Sequence, residues 1–253
     1  MIGTILAISP HLDDAAFSCG GTLARLAAGG WRVVVATAFT RSVPNPTGFA
    51  LACQLDKGLG PEIDYMALRR EEDRAAMRAL GAEPPVWLDL PEAPHRGYET
   101  VAALFGEVRP EDEAILPPLT SRLREIAEEV RPALVLGPQA VGGHVDHVQV
   151  VRALRRVAPP ILWWRDFPYT VREAQPKRPF ADVLDPLREL SAPLGRRHAA
   201  AKREGCRAYR SQLGFQFGGE AGLDAHLEAE GGLERFRIEG PLPAELHLTA
   251  AAA

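Results

Sequence analysis

Residues 4–21 read TILAISPHLDDAAFSCGG. The opening run, Ile5–Ile8, has the length and composition of a buried strand. The chain leaves it and at once sets down His11, Asp13 and Asp14 ahead of Gly20-Gly21. Charged residues gathered at a strand's end do nothing for packing, so they ask for a chemical reason. Apolar runs at Val33–Ala38, Val86–Leu90, Leu134–Leu136 and Ile161–Trp164 predict further strands. Helical patterns over Gly21–Ala28, Tyr65–Leu80, Thr120–Val130 and Val145–Val157 fill the intervals, with Gly29-Gly30, Gly81 and Pro132 where helices should stop. This alternation predicts an α/β fold with a mainly parallel sheet and helices on both faces. In such folds the ligand crevice lies beyond the carboxyl ends of the strands, where the polar cluster falls.

At 253 residues the chain suits one domain, 1–253, with a core over about 1–165 and a smaller C-terminal extension over about 175–253. A chain of this size buries roughly 70–75% of its unfolded surface and needs no staples. The net charge of −4 offers nothing to nucleic acid or an anionic membrane. Cys19, Cys53 and Cys206 are too few and scattered for a disulfide framework, and a reducing cytoplasm is the natural setting. No stretch has the apolar length of a membrane span, and the N-terminus lacks the basic region of a signal peptide. Residues 41–64, rich in Gly and Pro, predict a long loop over the site. Beyond about residue 175 the pattern predicts only a helix around His198–Gln212 and a short strand at Phe236-Arg237-Ile238. A homo-oligomer is left open.

A second cluster, GGHVDHVQV at 142–150, repeats the first one's spacing: His144 and His147 stand three apart, as His11 and Asp14 do, with Asp146 between. It too follows a strand and leads into a helix. Two imidazoles, one carboxylate and an open position make a sufficient catalytic zinc site. The inventory exceeds that minimum, leaving a carboxylate to take a proton from water, a histidine to serve a leaving group and an aspartate to orient that histidine. Taken singly, HxDD is also a helix cap and HVDH a polar helix start. Their joint occurrence after two strands favours metal-assisted hydrolysis of an amide or ester.

PHLDD followed by Gly20-Gly21, with HVDH downstream, resembles the PIG-L (LmbE-like) family of metal-dependent de-N-acetylases. The likeness spans most of residues 1–165, with a weaker echo at Lys202 and Ala208-Tyr209-Arg210-Ser211-Gln212. It implies a Rossmann-like fold, zinc or alternatively iron(II) or another divalent metal, and removal of acetyl groups from N-acetylglucosamine-type sugars or their conjugates. By motif, His11, Asp14 and His147 would hold the metal and Asp13 would be the general base. His144 would assist the tetrahedral intermediate or leaving amine in protonated form, with Asp146 orienting it. Arg69, of an Arg-x-x-Glu pair with Glu72, would reach a substrate hydroxyl or phosphate; the plainer reading is a solvated, ion-paired helix face. Leu12 stands where many members have proline, and Thr40-Arg41-Ser42 replaces a glycine and an acidic residue common in the thiol-pathway enzymes, which argues against mycothiol or bacillithiol synthesis. Three rivals stand beside this reading. A dinucleotide-binding module would want G-x-G-x-x-G where Asp13 and Asp14 sit. A serine or cysteine hydrolase at Ser18-Cys19 lacks G-x-S-x-G. A metal hydrolase of another amide or a phosphate ester would use the same ligands.

Overall fold

Five parallel strands occupy one side of a single sheet in the computed structural model, which describes residues 1–157, 160–246 and 248–250. They are β1 (Thr4–Ser9), β2 (Arg32–Phe39), β3 (Val86–Leu90), β4 (Leu134–Pro138) and β5 (Ile161–Trp164), in the order β3-β2-β1-β4-β5. β1 pairs with β2 from Thr4↔Arg32 to Ser9↔Thr37 and with β4 from Ile5↔Leu134 to Ala7↔Leu136. These strands are nearly continuous apolar runs because both sheet faces are covered. Their side chains alternate between two cores. Ile5 and Ala7 face helices α1 (Asp14–Ala28) and α3 (Tyr65–Leu80) and the helix Arg196–Arg207; Leu6 and Ile8 face Leu116–Val130 and Val145–Leu154.

The C-terminal stretch completes the sheet. β6 (Arg188–Pro193), β7 (Leu233–Glu239) and β8 (Thr249–Ala250) add antiparallel strands in the order β5-β7-β6-β8. Of these only the centre of β7 is foreshadowed by the sequence. Four other expectations need correction. The loop over 41–64 contains helix α2 (Gly48–Leu55). The expected helix around His198–Gln212 is two, Arg196–Arg207 and Arg210–Phe217. The helix expected from Thr120 begins at Leu116, with Pro117 in its first turn, where a missing N–H costs nothing. The helix expected to reach Val157 ends at Leu154.

The first helix is the most instructive difference. It starts at Asp14, not Gly21, and breaks at Cys19, whose φ of −138° and ψ of 18° are non-helical. The break exposes backbone N–H groups that a second helix start would leave unpaired. Glu234 of β7, wholly buried, accepts them: Gly21 N donates to Oε1 at 3.0 Å and Thr22 N to Oε2 at 2.7 Å. Lys202 Nζ neutralises that carboxylate at 3.0 Å and donates to Glu230 at 2.6 Å. At Gly21 the helix passes close to a neighbour: a Cβ there would lie 2.4 Å from Leu194 Cδ1, and the leucine side chain would have to shift. Helix α3 is built more simply. Asp64 caps it by accepting Ala67 N–H at 2.9 Å, and Gly81 ends it with a left-handed φ of 69°. Its buried stripe runs Met66, Arg69, Asp73, Ala76, Met77 and Leu80, an apolar face interrupted by two charges.

Glu234→Ala removes one partner of this buried cluster and strands both N–H groups. It should destabilise the protein by roughly 3–5 kcal/mol. Urea unfolding of the two proteins measures this, and equal stabilities would show the helix break to be independent of Glu234.

Candidate active site

The strand order reverses between β1 and β4, which are adjacent while their crossovers run to opposite sides. At such a switch point the two chain exits diverge and leave a crevice. His11, Asp13 and Asp14 emerge there from β1, and residues 139–147 emerge from β4. The second exit is tight: Ala140, Gly142 and Gly143 have φ values of 59°, 96° and 76°. A Cβ at Gly142 would sit 2.6 Å from the Tyr169 ring, so only glycine lets this loop close against that wall.

The two clusters meet. Asp14 Oδ2 lies 3.1 Å from His11 Nδ1 and 3.2 Å from His147 Nε2. His11, Asp14 and His147 each offer one ligand atom, all within 4.8 Å of one another. Ligand atoms arranged tetrahedrally about zinc at roughly 2.0–2.1 Å are separated by about 3.3 Å, so this donor set has the right dimensions for a divalent ion. Among the described residues, buried His147 Nε2 lacks a hydrogen-bond partner of acceptable geometry despite its closeness to Asp14. An orphaned imidazole nitrogen facing a carboxylate oxygen is what a metal site needs.

Each imidazole is held from behind. His147 Nδ1 lies 2.8 Å from Asp166 Oδ1, while Asp166 Oδ2 accepts the N–H groups of Gln139 and Val141, both at 3.0 Å. With Nδ1–H given to Asp166, Nε2 keeps its lone pair for a ligand. His11 Nε2 lies 2.9 Å from Asp146 Oδ2, which also accepts Ala93 N–H at 3.1 Å, leaving Nδ1 turned to Asp14. A second group, His11, His144 and Asp146, is also compact. Its carboxylate is already spent on Ala93 and Arg96, so the first set is the better metal site. The electrostatics favour a cation. Burial works to lower the His147 imidazole, but Asp14 and Asp166 lift it to about 9. Burial likewise opposes the Asp14 charge, but His147 and His11 hold its carboxyl well below the usual carboxylate range.

Asp13, adjacent in sequence, has the opposite environment. Burial pushes its carboxyl up to about 6, against the pull of Arg69, whose Nη2 lies 3.3 Å from Asp13 Oδ2. Arg69 is therefore no part of a solvated face. It is 3% exposed, donates to Glu92 Oε1 at 2.8 Å and to Leu12 O at 3.3 Å, and lines the cavity. Its companion Glu72 turns elsewhere, accepting from Ser211 N and Oγ, both at 2.7 Å.

His144 caps its helix: Nδ1 accepts Asp146 N–H at 3.2 Å, which leaves Nε2 as the protonated nitrogen of a neutral ring. Burial and the facing His11 lower its pKa to about 3. Two implied roles change accordingly. The surroundings of His144 favour the neutral form, not the protonated one. The Asp146 carboxylate orients His11 rather than His144; only its backbone N–H touches the latter.

The sequence reading passed over Asp166, Glu92 and Arg96. Asp166 carries a usable signal, a charge two residues after a buried strand. Trp163 and Trp164 are core, with no exposure. Cys19 is buried and its thiol raised by burial and Glu234, and Ser18 Oγ accepts Phe167 N–H at 3.2 Å, so neither is an activated nucleophile. The cavity of about 560 Å³ runs outward from His11, Asp13 and His144 between Phe49 of α2, Phe105 and Phe215.

Residues 6–158 match the PIG-L family model, described as GlcNAc-PI de-N-acetylase. The 2'-N-acetylparomamine deacetylase of Streptomyces fradiae is 32% identical over 196 residues, covering 72% of this chain and 67% of that protein. A deacetylase from the teicoplanin biosynthetic pathway, solved as a complex, superposes with a TM-score of 0.79 at 25% identity, covering 93% of this chain and 98% of that one. The zinc-inhibited form of a teicoplanin deacetylase gives a TM-score of 0.75 at the same identity and coverage.

Asp166→Ala should leave His147 free to rotate and weaken divalent-metal binding by about 10–100-fold. Chelator competition on the folded variant measures it; an unchanged affinity would mean that Asp166 does not set the His147 donor.

Proposed function

Because this chain belongs to the PIG-L, GlcNAc-PI de-N-acetylase, family, we propose a metal-dependent hydrolase that removes the acetyl group from an N-acetylated aminosugar or its conjugate, releasing acetate and the free amine. The observation that carries the reading is the convergence of His11 Nδ1, Asp14 Oδ2 and the unpartnered His147 Nε2. These three are our assigned metal ligands, with zinc as the ion and iron(II) as the alternative. The zinc-inhibited form of the teicoplanin deacetylase supports a divalent metal in this fold.

A divalent ion on these ligands would supply a Lewis acid for the amide carbonyl and for activating water. The chain's own residues do the rest. Asp13 accepts the proton of the attacking water, and its raised pKa of about 6 suits proton transfer near neutral pH. Neutral His144 offers Nε2–H to the oxyanion that develops on the carbonyl oxygen. The proton held by Asp13 then passes to the amine nitrogen as the C–N bond breaks. Arg69 steadies Asp13, and as part of the cavity wall it is our candidate for a substrate hydroxyl. We place the enzyme in a reducing cytoplasm, in accord with its free cysteines. No helix of the described residues is long and apolar enough to cross a membrane. We read residues 1–253 as one domain, a reading supported by the C-terminal strands that extend the same sheet.

The test is acetate release from a panel of N-acetylated aminosugars and their conjugates by metal-loaded and chelator-stripped protein. Turnover should vanish on stripping and return with zinc or iron(II). Asp13→Asn should keep its metal and lose on the order of 10²–10⁴-fold in kcat. Activity indifferent to chelation would refute the hydrolase reading, and a fully active, metal-loaded Asp13→Asn would remove Asp13 from its role.

The pH profile supplies a further check. Asp13 must be ionised to act, so kcat/KM should rise with pH on the acid side. Arg69 lowers the Asp13 pKa, so Arg69→Met should move that limb to higher pH. A limb that stays in place would separate the limb from Asp13.

A further inference from the structure

We infer that Arg96 is a positioning residue of the metal centre, acting on His11 through Asp146. This rests on the metal-centre reading above. Arg96 closes the short 3-10 turn Ala93–Arg96 that follows β3, and its side chain is 8% exposed. Nε donates to Asp112 Oδ1 at 2.6 Å and Nη2 to Oδ2 at 3.0 Å, a two-point hold of the planar guanidinium. Nη1 donates to Pro91 O at 2.8 Å. The same nitrogen lies 2.8 Å from Asp146 Oδ1, an ion pair whose angle falls short of a hydrogen bond.

The far side of the hold is equally fixed. Asp112 is 4% exposed and accepts from Tyr98 Oη at 3.2 Å. Gln149 Nε2 donates to the Asp112 carbonyl at 3.0 Å and to Oδ2 at 3.1 Å. The guanidinium carbon stands 4.9 Å from the centre of the Phe39 ring, which in turn faces His11 at 6.1 Å. A chain of buried groups therefore runs from Asp112 through Arg96 and Asp146 to His11 Nε2, with every link at 3.0 Å or less.

That chain does two things for the ligand. It supplies the positive partner that makes a fully buried Asp146 carboxylate affordable. It also sets the carboxylate's angle, so that Asp146 Oδ2 meets His11 Nε2 and the other ring nitrogen points at Asp14. Without Arg96, Asp146 keeps, among the described residues, only the His11 ring and the Ala93 N–H, and its buried charge is relieved by rotating away or admitting water. His11 then loses the contact that orients it. Lysine at this position would preserve a cation but not the two-point hold on Asp112.

Zinc affinity, read by competition with a chromophoric chelator, is the measurement, alongside thermal unfolding of the metal-free protein. Arg96→Met should weaken zinc binding by about 10–100-fold, and Arg96→Lys should fall between it and the wild type. A residue serving only the fold would lower the melting temperature and leave the zinc affinity of the folded fraction unchanged, so a folded Arg96→Met with wild-type affinity overturns the inference. Should Arg96→Met fail to fold, Arg96→Lys decides: weakened zinc binding supports the role and wild-type binding refutes it. A wild-type protein that binds no divalent ion sinks the metal-centre reading itself, which is a different outcome from tight wild-type binding indifferent to Arg96.

Discussion

One carboxylate oxygen, Asp14 Oδ2, stands within 3.2 Å of two imidazole nitrogens brought from opposite halves of the chain core. That closeness is a consequence of sheet register. His11 follows β1 and His147 follows β4, and the pairing Ile5↔Leu134 to Ala7↔Leu136 fixes how far each strand carries its exit. A slip of two residues would preserve every inward-facing side chain and move one exit by roughly 6.6 Å along the strand, beyond the reach of any single ion. The apolar alternation alone cannot prevent such a slip. The chain exits help to specify it, because the approach of His147 Nε2 to Asp14 Oδ2 at 3.2 Å and of His11 Nε2 to Asp146 Oδ2 at 2.9 Å fits one placement of β4 against β1.

Consecutive aspartates do different work because the helix start sends them in different directions. Asp14 opens α1, while Asp13 just before it, with φ of 169° and ψ of −33°, lies outside the helix, so the two side chains leave the backbone at different angles. Asp14 turns toward two imidazoles that stabilise its charge; Asp13 turns into a buried wall where Arg69 only partly offsets the cost of ionisation. Two neighbouring acids whose environments push them apart are the mark of divided roles, one a permanent anion for a ligand and the other a base that can gain and lose a proton. Each environment depends on a distant segment. Arg69 arrives from α3, and His147 from beyond β4.

The parts of the site legible in the sequence were those carried by short spacing after a strand. HLDD and HVDH each declare their chemistry within a few residues, and all five parallel strands stood out as apolar runs. What stayed hidden depends on contacts between distant segments. The true start of α1 was obscured because Cys19-Gly20-Gly21 reads as a helix boundary, and the structure does break there; the piece before the break is helical because Glu234 makes the break tolerable. Nothing in DHVQ tells which histidine ring Asp146 will meet, since that depends on His11 crossing from another strand. Arg69 looked like one charge among six because ALRREEDR has helical spacing on every side. Burial of Asp73 on the same stripe, bonded to Trp87 Nε1 and Tyr209 Oη, shows that this stripe faces the protein interior.

The C-terminal segment, the least readable part, bears on the site through its anchors. Ser211 and Gln212 tie the helix Arg210–Phe217 to Glu72 and Tyr65 of α3, which places Phe215 at the cavity mouth. Lys202 and Glu234 meet the break in α1, so the short turn bearing Asp14 is aimed separately from the long half that packs against Arg196–Arg207. A straight helix from Asp14 to Ala28 could satisfy either the site or the packing, with its direction set by one of them. Breaking it at Cys19 lets the first turn answer to His11 and His147 while the remainder answers to the core. The buried carboxylate at the break is the cost of that independence, and Lys202 brings the cost within what a fold of this size can bear.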